Sequence, residues 1–145
     1  MIFGDITHPE LLKALATAGH GSNIVIADGN FPTDIGVPAG TPKVFLNLGP
    51  DKLKVPEVLE YIVKAVGIES VAAPVRDDML DVPVFSEFRA ILPEGLEIKK
   101  LKRWDFRKAC MAPETALLIQ TGDLRGYCCL ILTIGIRPDT KANKG

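Results

Sequence analysis

His20 and Asp28 stand at the two ends of one short apolar run, Ile24-Val25-Ile26-Ala27. The run is continuous and mostly β-branched, the composition of a buried strand. Gly19 and Gly21 flank the histidine, so His20 sits on a turn where the backbone can approach a ligand. Asp28-Gly29-Asn30 has turn chemistry, and Pro32 keeps the strand ladder from continuing. An imidazole and a carboxylate on loops beside one strand suit proton transfer near neutral pH. The imidazole titrates close to pH 7, and a carboxylate can orient the ring or a substrate hydroxyl. The same pattern also serves a histidine that caps a helix end and an aspartate that closes an Asx-turn. Spacing alone leaves both open.

Other chemistries find less support. There is no Walker-type loop, and no Gly-x-Gly-x-x-Gly opens a helix after a strand. The chain has two histidines, His8 and His20, neither with a partner at His-x-x-x-His spacing, so a metal site would need scattered Asp and Cys. A nucleophile elbow of the Gly-x-Ser-x-Gly kind is missing. The three cysteines, Cys110 and the adjacent Cys128-Cys129, are odd in number and form no Cys-x-x-Cys. Neighbours on a strand point to opposite faces, which places Cys128 and Cys129 poorly for pairing with each other. A reducing cytoplasm is the simplest setting; the N-terminal residues do not read as a signal peptide, and the longest apolar run, Tyr127 to Ile136, is too short to span a bilayer as a helix. Acid–base chemistry or simple binding remains.

The elements that must carry these groups read as follows. With 145 residues, 47% hydrophobic and 24% charged, the chain has the composition of one globular domain. A net charge of -1 without a polybasic run disfavours non-specific nucleic-acid binding. Thr7-His8-Pro9-Glu10 offers a helix start, with Thr7 as cap, Glu10 at the capping-box position, and a helix to Ala18. A strand spans Asn23 to Ala27, a Pro- and Gly-rich loop spans Pro32 to Pro42, and Lys43 to Leu48 is a second strand. Val55 to Val66 is strongly amphipathic, with Val55, Val58, Leu59, Ile62, Val63 and Val66 at helical steps. A short strand at Val71 to Ala73 and a helix at Pro83 to Leu92 follow. Leu96 to Leu101 reads as a strand and Trp104 to Cys110 as a short helix. Thr115 to Gln120 and Tyr127 to Ile134 are apolar strands joined by a turn of hairpin length. Strands interleaved with helices make this an α/β domain of residues 1–138, a central, mostly apolar sheet flanked by helices, with a loose tail at 139–145.

Taken in order, these pieces resemble one family. Pro9-Glu10-Leu11-Leu12, Gly19-His20-Gly21, an apolar strand, Asp28, Phe31-Pro32, then Thr121-Gly122-Asp123, Tyr127 and a strand ending at Gly135 are similar to the D-ribose pyranases and L-fucose mutarotases. The resemblance runs from Glu10 to Arg137. Asn30-Phe31-Pro32, the Pro-Glu-Leu-Leu start and Arg103-Trp104-Asp105-Phe106 are closer to the fucose branch. It implies a ring-forming sugar mutarotase-like fold and an isomerase that interconverts monosaccharide anomers or ring forms without redox cofactor or metal. His20 would then be the general acid/base, and Asp28 would hold sugar hydroxyls or the histidine. Arg103 would hydrogen-bond a hydroxyl and Tyr127 would contact the sugar from the last strand. Trp104 stands between stacking on the sugar and packing in the core. Cys128 and Cys129 occupy the positions of a small residue and a sugar-binding asparagine. A thiol cannot replace an amide's donors and acceptor, so the contribution there falls to backbone and the sugar is open. The resemblance further implies homo-oligomeric rings, commonly decamers, whose pockets a neighbouring subunit completes. His20 and Tyr127 of one pocket would then come from different chains. A ribose-type ring isomerase and a non-catalytic sugar-binding protein are the alternatives.

Overall fold

Alternation along the first strand sets the architecture. In a computed structural model that describes residues 1–138, β1 (Asn23–Ala27) sends Ile24 and Ile26 to one face and Val25 and Ala27 to the other, all fully buried. A strand buried on both sides is the centre of a covered sheet. The remaining strands are β2 (Lys43–Phe45), β3 (Ile68–Val75), β4 (Ile98–Lys102), β5 (Thr115–Gln120) and β6 (Leu130–Ile134). They form one mixed sheet in the order β2-β5-β1-β6-β3-β4. β2 and β5 run parallel to β1, and β3 is parallel to β4. β6 is antiparallel to both β1 and β3, so it alone opposes the common direction.

Helices cover the two faces unequally. α1 (Pro9–Thr17), α2 (Val55–Ala65) and α3 (Phe85–Ile91) bury Leu11, Leu15, Val58, Leu59, Ile62, Phe85 and Phe88 in the larger core. The other face is covered by α4 (Arg103–Cys110), through Phe106 and Cys110, together with Phe31 and Val37 of the loop after β1. Among the described residues no helix is long and apolar enough to cross a membrane.

The structure departs from the sequence reading at several points. The cap of α1 is His8, whose Nδ1 accepts the Leu11 N–H at 3.3 Å, rather than Thr7; Glu10 lies beside the His8 ring instead of reaching back. β2 ends at Phe45, three residues short of Leu48, while β3 extends well beyond Val71 to Ala73 on both sides. The largest departure is topological. β5 and β6 form no hairpin, because β1 lies between them. The Thr121 N–H and hydroxyl both bond the Ala27 carbonyl at 2.9 Å, and the Gly29 N–H donates to the Asp123 carbonyl at 2.7 Å. These bonds carry the connection across the end of β1, where a tight turn would have folded β6 back onto β5. The tail expected at 139–145 lies outside the described residues.

Candidate functional site

The C-terminal ends of β1, β3 and β4 and the start of β6 meet at one edge of the sheet, the usual place for a ligand in α/β folds. A cavity of about 260 Å³ opens there. Its wall includes Asp28 after β1, Arg103 and Arg107 on α4, and Tyr127 and Cys129 before β6, with Phe31 at the base of α4's packing.

Asp28 is buried and tightly held. One carboxylate oxygen accepts the Asn30 N–H at 2.9 Å in an Asx-turn, and the other accepts the Cys129 S–H at 3.3 Å. The Cys129 sulfur in turn accepts the Asp28 N–H at 3.4 Å, so residue and thiol clamp each other. Burial raises the carboxyl above its ordinary range, against these hydrogen bonds, which lower it. Burial likewise pushes the Cys129 thiol well up and the neighbouring carboxylate adds to it, so the sulfur keeps its proton and serves as donor. Tyr127 lines the cavity from a left-handed backbone conformation, φ 60°, with the Arg76 guanidinium 5.9 Å from its ring centre. Such a conformation costs a non-glycine residue about 1–3 kcal/mol, which the turn around it must offset.

That turn is fixed from below by Asp123. This fully buried carboxylate accepts the Val55 N–H at the start of α2, the Arg125 N–H and side chain, and the Cys128 S–H at 3.3 Å. Burial pushes Asp123 up, yet the bonds from Arg125, Cys128 and Val55 outweigh it and hold the group at about 2. Gly122 admits no side chain: a Cβ would run into the Gly49 and Lys52 carbonyl oxygens and stand 3.0 Å from the Lys52 nitrogen.

Of the residues singled out from sequence, Asp28, Arg103, Tyr127 and Cys129 line this cavity. Cys128 faces the other way, into the larger core and toward Asp123. Tyr127, Cys128 and Cys129 precede β6 rather than lying within it. His20 sits at the opposite edge of the sheet. The whole of β1, about 16 Å at ~3.3 Å per residue, separates it from Asp28. Its Nε2 is 2.9 Å from the Glu69 carboxylate at the start of β3, and both side chains are exposed. Trp104 is neither core nor cavity wall; it is 71% exposed, beside the Arg103 guanidinium. Sequence reasoning missed Arg107, although it follows Arg103 by one helical turn, the spacing that puts two side chains on one face. Glu69 carries no local signal, being 49 positions from its histidine. Among the described residues no cluster of three or more His, Cys, Asp or Glu could hold a metal ion.

Comparison with known proteins agrees with this architecture. The sequence profile of the RbsD / FucU transport protein family matches residues 1–137. The chain is 32% identical over 141 residues to the fucose mutarotase of Homo sapiens, covering 88% of each chain. It is 30% identical over 143 residues to that of Mus musculus, covering 90% of each. Among solved structures, Bacillus subtilis RbsD complexed with D-ribose superposes with a TM-score of 0.81 at 25% identity, covering 95% of this chain and 100% of that one. The Streptococcus pneumoniae fucose mutarotase in complex with L-fucose gives 0.76 at 25% identity, with coverage of 90% and 94%.

Proposed function

The chain belongs to the RbsD / FucU transport protein family, and on that premise we propose that it is a monosaccharide mutarotase. The observation that carries this reading is Asp28, a buried carboxylate fixed by one N–H and one S–H donor on the wall of a cavity scaled to one sugar ring. At about 260 Å³ the cavity lies near the small end of the range for ligand sites, about 300–1,000 Å³. The names of its relatives, fucose mutarotases that cover 88–90% of each chain, support the reaction class. L-fucose or a related sugar is the first substrate reading.

Ring opening takes the proton from the anomeric hydroxyl and delivers one to the ring oxygen as the bond from that oxygen to the anomeric carbon breaks. Rotation about the bond next to the free aldehyde, followed by the reverse transfers, gives the other anomer. Each well-placed proton-transfer group contributes about 10²–10⁴-fold. His20 is the general acid/base in this reading, while Asp28, Arg103 and Tyr127 hold hydroxyls. Because His20 and Asp28 lie at opposite edges of one sheet, the histidine must reach a cavity on a neighbouring copy, as in a ring, by resemblance a decamer. Exposed Phe45 and Leu48 at the β2 edge supply apolar surface for such an assembly. Ring-form interconversion of D-ribose is the second reading, favoured by the fit to RbsD.

The test is saturation-difference proton NMR on the anomeric signals of L-fucose, D-ribose, D-galactose and D-glucose. Transfer between anomers with the parent protein, lost in both His20→Ala and Asp28→Asn, is the expected result. Co-assembly of the two inactive chains then restores about a quarter of the sites, because one subunit lends histidine and its neighbour lends aspartate. Absence of transfer for every sugar overturns the enzyme reading; absence of recovery on mixing overturns the shared pocket.

A further inference from the structure

Cys129 carries a buried thiol that the proton transfers above leave without a part. Strand register explains where it stands. Ile26 pairs with Leu130 in the antiparallel ladder of β1 and β6, so Asp28 and Cys129, just past that pair, meet at the cavity although 101 positions separate them. The thiol has one proton, which it donates to the Asp28 carboxylate, and this leaves none for a sugar. With the Asn30 N–H on the other oxygen, each carboxylate oxygen has one donor within the protein and one lone pair to spare. Two donors on two oxygens also fix the plane of the group. Tyr127 from the same connection and Arg103 and Arg107 from α4 line the cavity, while Asp123 and Cys128 lie near enough to share electrostatic coupling with Asp28. Among the described residues Cys129 is nevertheless the one side chain that bonds this carboxylate.

We propose that Cys129 is a positioning residue for the sugar reaction: its S–H fixes the Asp28 carboxylate so that the two spare lone pairs meet sugar hydroxyls. The proposal rests on the sugar reading above and deepens it, giving a part to a side chain whose donor never reaches the sugar. A thiol suits the part on two counts. Its sulfur belongs to the apolar cluster of Phe31, Phe106 and Ile131, so packing holds the donor still. Burial keeps it protonated, so it neither places a second negative charge beside Asp28 nor competes as a nucleophile. Removing the S–H leaves the burial of Asp28 less opposed, and the carboxyl then takes up a proton at higher pH. A protonated Asp28 presents a donor where the sugar hydroxyl needs an acceptor, and the freed oxygen can turn out of line.

The experiment compares kcat/KM for anomer exchange by parent, Cys129→Ala and Cys129→Ser from pH 8 down to pH 4, over the range in which circular dichroism shows all three folded. The sugar is the most active of the panel above. Cys129→Ala should fall about ten-fold further behind the parent below the Asp28 titration than above it, the effect of moving one acid limb by about one pH unit. The titration of His20 is common to both proteins and cancels in their ratio. Cys129→Ser returns a donor and should recover most of the low-pH loss, which a merely structural role for the sulfur would not give. Infrared difference titration of the sugar-free proteins, with the Asp28 band assigned by Asp28→Asn, supplies a readout besides activity: the carboxyl should titrate about one unit higher in Cys129→Ala. A parent-to-alanine ratio that is constant with pH, a serine variant that behaves as the alanine one, or an Asp28 band that does not move overturns the proposal and leaves the sugar reading standing. Absence of exchange with every sugar by every protein overturns both.

Discussion

Asp123→Asn is the substitution whose cost can be worked out most fully from the structure. One Asp123 oxygen accepts the Arg125 N–H and Nε at 3.1 and 3.0 Å. The other accepts the Val55 N–H at 3.1 Å, Arg125 Nη2 at 2.8 Å and the Cys128 S–H at 3.3 Å. An asparagine keeps one acceptor and turns an NH₂ against donors on the other side, in a site with no solvent exposure. Breaking a buried ion pair costs about 3–5 kcal/mol. Arg125 is 36% exposed and bonds Glu87, so it can turn outward and recover part of this. The expected loss is about 2–3 kcal/mol, or roughly 6–12 °C in Tm for a domain of this size. Part of the loss must titrate. The folded carboxyl lies at about 2, below the ordinary aspartate value of 3.8, so its stabilisation is complete above pH ~4 and fades as pH falls toward 2. After allowance for solvent around Arg125, this titratable share is about 1–2 kcal/mol. Urea unfolding of parent and variant at one fixed protein concentration, from pH 7 down to pH 2, measures both quantities. A difference under about 0.5 kcal/mol at pH 7, or one unchanged at pH 2, would refute the reasoning.

Two further outcomes follow from packing alone. Gly122→Ala forces a methyl into the Gly49 and Lys52 backbone, which cannot yield as a flexible side chain would, and should cost more than about 3 kcal/mol; a variant that melts with the parent would show that this loop relaxes freely. The three thiols are buried and free, and burial pushes Cys110 up to about 12. The native protein should therefore resist a thiol-specific chromogenic reagent at pH 8 for far longer than urea-unfolded protein. Labelling of any cysteine at the unfolded rate would contradict the burial described.

Helices and strands were legible wherever hydrophobic period and punctuation agreed. Val55 to Ala65 carries an apolar stripe with Pro56 in its first turn and Gly67 just past its end, and Thr115 to Gln120 is an uninterrupted run, so their limits are legible to within a residue. The order of strands was not legible. A loop of a few residues between two apolar runs satisfies a hairpin by length, and only the tertiary bonds of Thr121 and Asp123 to the end of β1 exclude it. The cavity was half legible. Asp28 announces itself by turn chemistry, and Arg103 and Tyr127 came from family resemblance. Arg107 carries no motif of its own: it lies beyond the four residues that resemble the fucose branch, one helical turn on from Arg103. Asp28 does not hold His20 within one chain, as the resemblance had allowed: the two stand at opposite ends of an extended strand, and the imidazole meets Glu69 instead.

The position of β1 also dictates a timetable. Its neighbours in the sheet, β5 and β6, begin at Thr115 and Leu130, so the central strand is made early and partnered last. At about 5–20 residues per second, a ribosome spends roughly 5–20 s between finishing Ala27 and delivering β6. Throughout that interval Ile24 to Ala27 is an apolar, unpaired strand, the kind of segment that seeks other chains. Pairings so distant in sequence also slow the search for the native topology. Folding is thus deferred until translation has nearly reached Ile134, and yield in cells should respond more to chaperone supply and synthesis rate than final stability alone would suggest.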